Sequence, residues 1–172
     1  MAQVALQMYT LRGLTKEDYA GTVKKVAEMG YPAIQVSGFG NSNPKEIRKM
    51  MDDLELGSAG THLGLGMMEQ DVDEVIDIVK TLRAGYAVVP SLPEDRRQTA
   101  DHWKRLGELF TEIGEKMAAE DVGLAYHNHA FEFETFDGKL GYDLLFEAAG
   151  DVVETEIDTY WVQYGGQDPV AY

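Results

Sequence analysis

The 172-residue chain contains no cysteine, so disulfides and thiolate chemistry are excluded, and any bound metal must be held by histidine, aspartate and glutamate. Basic residues are scarce: 15 Lys and Arg stand against 30 Asp and Glu, for a net charge of −15. The densest basic spots are the pairs Lys24–Lys25 and Arg96–Arg97. Nucleic acid is therefore disfavoured as a partner, because binding it requires a basic face that neutralises phosphates. The acidity itself reads as a solubility feature and says little about a small substrate. No run of 18 or more apolar residues occurs, so no membrane partner is expected, and the N-terminal "MAQVALQMYTLRG" lacks the basic-then-apolar order of a signal peptide. A cytoplasmic location is the expectation. A nucleotide-binding glycine fingerprint is also missing: "MYTLRGLT" follows the first apolar run, and "GLGMM" (64–68) is a weak match to anything.

What is present is a regular alternation. Hydrophobic residues make up 44% of the chain, enough for the core of a single domain. Apolar runs of strand length at 4–9, 33–37, 57–62, 86–90, 123–128 and 152–158 are separated by amphipathic helical stretches. The first helix is expected from Thr15, as N-cap, to Met29, with Gly30 just past its end. The second is opened by "NPKE", Asn43 capping and Pro44 in the first helical position. Further helices are expected at about 71–84, about 99–120 and in "GYDLLFEAAG", and Asp168–Pro169 reads as the opening of another.

Strands alternating with helices imply an α/β protein with a parallel sheet. Tyr9, Ser37, His62, His127 and Asp158 all fall at the C-terminal ends of predicted strands, the face on which barrel enzymes build their sites, so the (β/α)8 TIM-barrel type is favoured over an open sheet. Such a barrel needs ~250 residues. About six βα units are legible in one domain spanning residues 1–172, so the barrel is expected to be incomplete: a truncation, a fragment, or a chain that completes its sheet with a partner.

The densest chemistry lies in "LAYHNHAFEFET" (124–135). On a strand His127 and His129 project to one side and Asn128 to the other. Gly123 and Ala125 would fill the lower layers beneath His127, Glu132 would fold back over the same mouth, and Asp158 ends the neighbouring strand. An imidazole and two carboxylates from His127, Glu132 and Asp158 could thus converge on one divalent ion. The competing reading is a polar barrel cap in which the histidines hydrogen-bond locally and Glu132 and Glu134 are solvated loop charges.

"YHNHAFEF" and "EIDTYWV" together resemble the sugar phosphate isomerase/epimerase family, the xylose isomerase-like TIM barrels grouped with family 2 AP endonucleases and the endonuclease IV type of fold, in the branch with an HNHxxEF fifth strand. The likeness extends through "VALQMYTLR", "GYPAIQVSGFG", "AGTHLGL" and "YAVVPSLP", nearly the whole chain. It implies a divalent ion (Mn, Mg, Co or Zn) held from strands 5, 6, 7 and 8, and a small-molecule sugar or keto-sugar substrate. Asp158 matches the strand 6 ligand. Glu132 supplies a strand 5 carboxylate, while His127 stands where other branches place theirs. The strand 7 histidine and strand 8 glutamate have no counterpart, and Gln35 stands where a glutamate is frequent. Under this resemblance Glu132 is the expected ligand and base, and His129 a proton-relaying group. His62 and His127 bind hydroxyls, and Tyr9 and Trp161 wall the sugar ring. The chemistry implied is proton transfer next to a carbonyl through an enediolate. Two other outcomes remain open from the sequence: an inert barrel fragment that forms a homo-oligomer to cover its open edges, and a metal-dependent DNA-repair endonuclease, which the net charge disfavours.

Overall fold

The computed structural model describes residues 4–172. Six strands follow one another through a parallel sheet in the order β1-β2-β3-β4-β5-β8: β1 (Leu6–Gln7), β2 (Ala33–Ser37), β3 (Gly57–His62), β4 (Tyr86–Val89), β5 (Gly123–His127) and β8 (Val153–Glu156). The order is sequential, without the reversal that defines a doubly wound sheet. The remaining strands, β6 (Thr135–Phe136) and β7 (Lys139–Leu140), pair as an antiparallel hairpin. The helices are α1 (Arg12–Glu17), α2 (Tyr19–Glu28), α3 (Pro44–Asp53), α4 (Leu65–Gln70), α5 (Val72–Leu82), α6 (Ala100–Ala118), α7 (Gly141–Ala149) and α8 (Thr159–Tyr164). None of the described helices is long and apolar enough to cross a membrane. The residues cluster into two compact units, the first running through Leu63 together with Asp73–Ala87, the second comprising Gly64–Val72 and Val88–Tyr172.

In the first unit β1 pairs with β2 and β2 with β3. Ile34 and Val36 of β2 are fully buried. The β2–β3 register shifts between Ile34 and Val36, where Gly60 takes a φ of 95° that a side chain would resist. Asn43 caps α3 as expected, with Pro44 in the first turn, and Glu46 completes a capping box with it. Two expectations are corrected here. The first strand is two residues long rather than six, because the chain passes straight from Gln7 into a 3-10 turn at Met8–Leu11, in which Met8 is buried. The next helix is capped by Asp18 rather than Thr15: the Asp18 carboxylate accepts from the Gly21 amide at 2.9 Å, whereas the Thr15 hydroxyl donates to Arg12 O inside α1.

The second unit is built around α6, which starts where expected, after Thr99, whose hydroxyl accepts from the His102 amide. Trp103, Leu106, Phe110, Ile113 and Met117 recur on its buried face. α7 lies so near α6 that a Cβ at Gly107 would stand 2.5 Å from Leu145 O and 2.6 Å from Ala148 Cβ. Alanine at 107 is therefore expected to lower stability by about 1–3 kcal/mol despite its better helix propensity, because a backbone carbonyl cannot yield as a flexible side chain can. A reduced denaturant midpoint with unchanged slope would record this. The expected helix at Asp168–Pro169 is only a turn, in which Asp168 Oδ1 accepts from the Val170 amide.

Candidate active site

The site grows from the end of β5. Consecutive strand residues face opposite ways: Tyr126 points to the helices, its ring 5.7 Å from Phe110 of α6 and 6.5 Å from Phe146 of α7, so His127 points to the other face. β5 pairs in parallel with β8, and the register sets His127 directly beside Glu156. Their side chains meet there, His127 Nδ1 lying 3.3 Å from Glu156 Oε1.

Past the strand, Asn128 is fully buried and joins two loops. Its Oδ1 accepts from the Asp158 amide at 2.7 Å, and its Nδ2 donates to Asp158 O at 3.2 Å and His129 O at 3.4 Å. Asp158 is thereby fixed through its backbone. Its carboxylate caps α8, Oδ1 accepting from the amides of Tyr160 and Trp161.

Glu132 sits in a 3-10 turn, Phe131–Phe133, and has no exposed surface. Its Oε1 accepts from the Tyr126 hydroxyl, and its Oε2 from the His129 amide at 2.8 Å. Burial pushes the carboxyl up to about 7, against the opposing pull of these hydrogen bonds. Burial, and then the neighbouring Glu132, hold the Tyr126 phenol well above its usual range.

The His129 ring is held among aromatics. It lies parallel to Phe131 (centroids 5.5 Å apart, 6° between planes), 5.4 Å from Trp161 and edge-on to His127 at 5.1 Å. The Arg97 guanidinium packs over the Phe131 ring, 3.7 Å from its centroid. Beside His129 opens a cavity of about 420 Å³, lined among others by Phe131, Phe133, Glu134, Trp161 and Tyr164.

Of the residues nominated from sequence, His127, His129, Glu132, Asp158 and Trp161 all belong to this second unit. The structure differs from the expected grouping in one respect: the carboxylate brought to His127 is that of Glu156, while both Glu132 oxygens are taken up by Tyr126 and the His129 backbone. Tyr9 and His62 belong to the first unit. Tyr9 is 55% exposed under the Arg12 guanidinium, and His62 is buried at the end of β3 with its Nδ1 3.5 Å from Gln7 Nε2. Sequence reasoning passed over Glu156, Asn128 and Tyr126. For Glu156 a signal existed, since it stands two residues before Asp158 in an alternating strand.

No family model matches the chain. A curated relative, the rhizopine catabolism protein MocC of Rhizobium meliloti, is 23% identical over 168 residues, which cover 87% of this chain and 51% of that protein. The chain thus spans about half the length of the curated relative it matches. Among solved structures, a sugar phosphate isomerase/epimerase from Parabacteroides distasonis superposes with a TM-score of 0.85 at 26% identity, covering 98% of this chain and 72% of that one. The IolI protein, solved with a bound zinc atom, superposes with a TM-score of 0.73 at 11% identity over 97% of this chain and 66% of its own. The fold is that of the xylose isomerase-like TIM barrels. Within that class, the resemblance to sugar phosphate isomerases and epimerases carried by "YHNHAFEF" and "EIDTYWV" is borne out by the structural neighbours.

Proposed function

We propose that this chain carries the strand 5 and strand 6 part of the active site of a divalent-metal-dependent sugar isomerase or epimerase. The observation that carries the reading is the His127–Glu156 pair, an imidazole nitrogen and a carboxylate oxygen 3.3 Å apart at the ends of adjacent parallel strands, with Asp158 two residues further along. This nitrogen and oxygen donor set suits zinc or manganese: His127 and Glu156 would hold the ion, and Asp158, whose Oδ1 also caps α8, is the further ligand that the family resemblance implies. When bound, such an ion polarises a substrate carbonyl and stabilises negative charge on its oxygen. The rest of the chemistry is assigned to side chains. His129 moves the proton on the carbon next to that carbonyl, a role suited to an imidazole. Trp161 offers an apolar wall to the ring of a sugar or keto-sugar. Glu132 is given neither the ligand nor the base role expected from sequence, because a carboxylate with no exposed surface and both oxygens engaged does not reach a substrate proton.

Titration with Mn²⁺, followed by incubation with ketoses and aldoses in D₂O, tests this reading. Deuterium is expected at the carbon next to the carbonyl, in a metal-dependent manner. His127→Gln and Asp158→Asn should each weaken Mn²⁺ binding at least about tenfold. Asparagine retains the cap of α8, so Asp158→Asn separates loss of ligand charge from loss of fold. Undiminished Mn²⁺ affinity in both variants would remove the metal assignment.

A further inference from the structure

Tyr126, Glu132 and His129 form a chain of contacts that the proposed chemistry leaves unexplained. A buried carboxylate is costly unless its oxygens find donors. Two of the donors to Glu132 come from different parts of strand 5 and its loop. The Tyr126 hydroxyl reaches it from the helix-facing side, anchored by a ring packed between Phe110 and Phe146. The His129 amide reaches it from the site side, at 2.8 Å. The His129 ring is meanwhile stacked on Phe131 and in contact with Trp161, and Arg97 also packs on the Phe131 ring. Backbone and ring of one histidine are thus fixed independently, the backbone by an acid tied to the hydrophobic core.

We infer that Glu132 is a positioning residue: with Tyr126 as its anchor it holds the backbone of His129, and so aims the imidazole, without touching metal or substrate. This rests on the reading of His129 as the proton-moving group. It also explains why an acid occupies a position closed to solvent. The acid offers one oxygen to the phenol and the other to the amide, whereas glutamine would turn its amide group toward one of the two donors. Tyr126 then has a role that its place in an apolar run conceals, since phenylalanine would fill the same space between α6 and α7 but could not anchor the acid.

The test uses the full ¹⁵N-labelled chain. In Glu132→Gln the His129 amide should exchange with solvent at least tenfold faster than in the parent. The imidazole signals of His129, shifted by the stacked Phe131 ring, should move toward unstacked values, and Mn²⁺ affinity should change by less than threefold. Tyr126→Phe provides a second route should Glu132→Gln fail to fold: the unanchored carboxylate should release the His129 amide by a smaller factor, several-fold. The inference is overturned if the His129 amide and ring signals are unchanged in the variant that folds. It is equally overturned if Glu132→Gln loses Mn²⁺ binding as fully as His127→Gln, which would make Glu132 a ligand. Failure of the parent chain to bind Mn²⁺ would instead count against the proposed function, while the His129 amide and ring signals would still decide the positioning role.

Discussion

Replacing Asn128 by alanine is expected to cost roughly 3–4 kcal/mol, because it strips partners from buried backbone groups as well as deleting a side chain. The Asn128 amide group donates to Asp158 O and His129 O while its oxygen accepts from the Asp158 amide. Asp158 N and O are left facing a void. Denaturant unfolding of Asn128→Ala should show a lower midpoint, and the amide of Asp158 should exchange faster than in the parent. Asn128→Asp sharpens the expectation. An aspartate keeps the shape and still accepts from Asp158 N, but presents an oxygen to Asp158 O. Its destabilisation at neutral pH should therefore be relieved in acid, where the protonated carboxyl can donate. A loss below about 0.5 kcal/mol in both variants, the range of ordinary surface substitutions, would show that Asn128 does not hold the two loops together.

The second large effect is a pH dependence of stability arising from Glu132. Its carboxyl is raised from the usual carboxylate range to about 7 by burial, so the folded protein holds a proton that the unfolded chain releases. Stability falls with pH wherever the folded state binds more protons. The contribution of Glu132 is therefore fully present below about pH 4.5 and is lost as pH rises through about 7, for a total of about 3 kcal/mol. Glu132→Gln cannot titrate. The difference in unfolding free energy between parent and variant should change by up to about 3 kcal/mol between pH 4.5 and 8, the parent losing ground as pH rises. A difference that stays level across that range would mean that the carboxyl titrates normally. The net charge of −15 makes the comparison with the variant essential, since acid also relieves repulsion among the other carboxylates.

Much of the fold was legible because its signals are local. Asn43 with Pro44, Thr99 before α6, and the apolar runs of β4 and β5 each mark their element within a few residues. The errors have local causes as well. Asp18 outcompeted Thr15 as a cap by reaching the Gly21 amide. The β6–β7 hairpin was advertised by Asp137–Gly138, whose φ values of 51° and 86° are those of a tight two-residue turn, in too short a segment to be read as strands. α8 exists because Asp158, nominated for its charge, caps a helix with it.

The site was legible in position but not in pairing. That titratable side chains gather after strands 5 and 6 follows from where they fall in the sequence. Which carboxylate meets His127 does not, because it depends on the β5–β8 register, a contact between residues 29 positions apart. Tyr126 was hidden differently: in an apolar run its hydroxyl looks incidental, and its bond to Glu132 appears only once the chain has turned back over the strand.

That register has a consequence for which changes in sequence the molecule can absorb. His127 stands beside Glu156 because Leu124 stands beside Val153, and each step along the two strands preserves the match. One residue gained or lost within Val153–Glu156 would hand His127 a neighbour of the wrong face, threonine or isoleucine, while every backbone hydrogen bond of the ladder could re-form. The His127–Glu156 pair can therefore be erased by a change in length that alters neither side chain, and relatives that keep the pair should tolerate insertions in the loops around these strands but not within them.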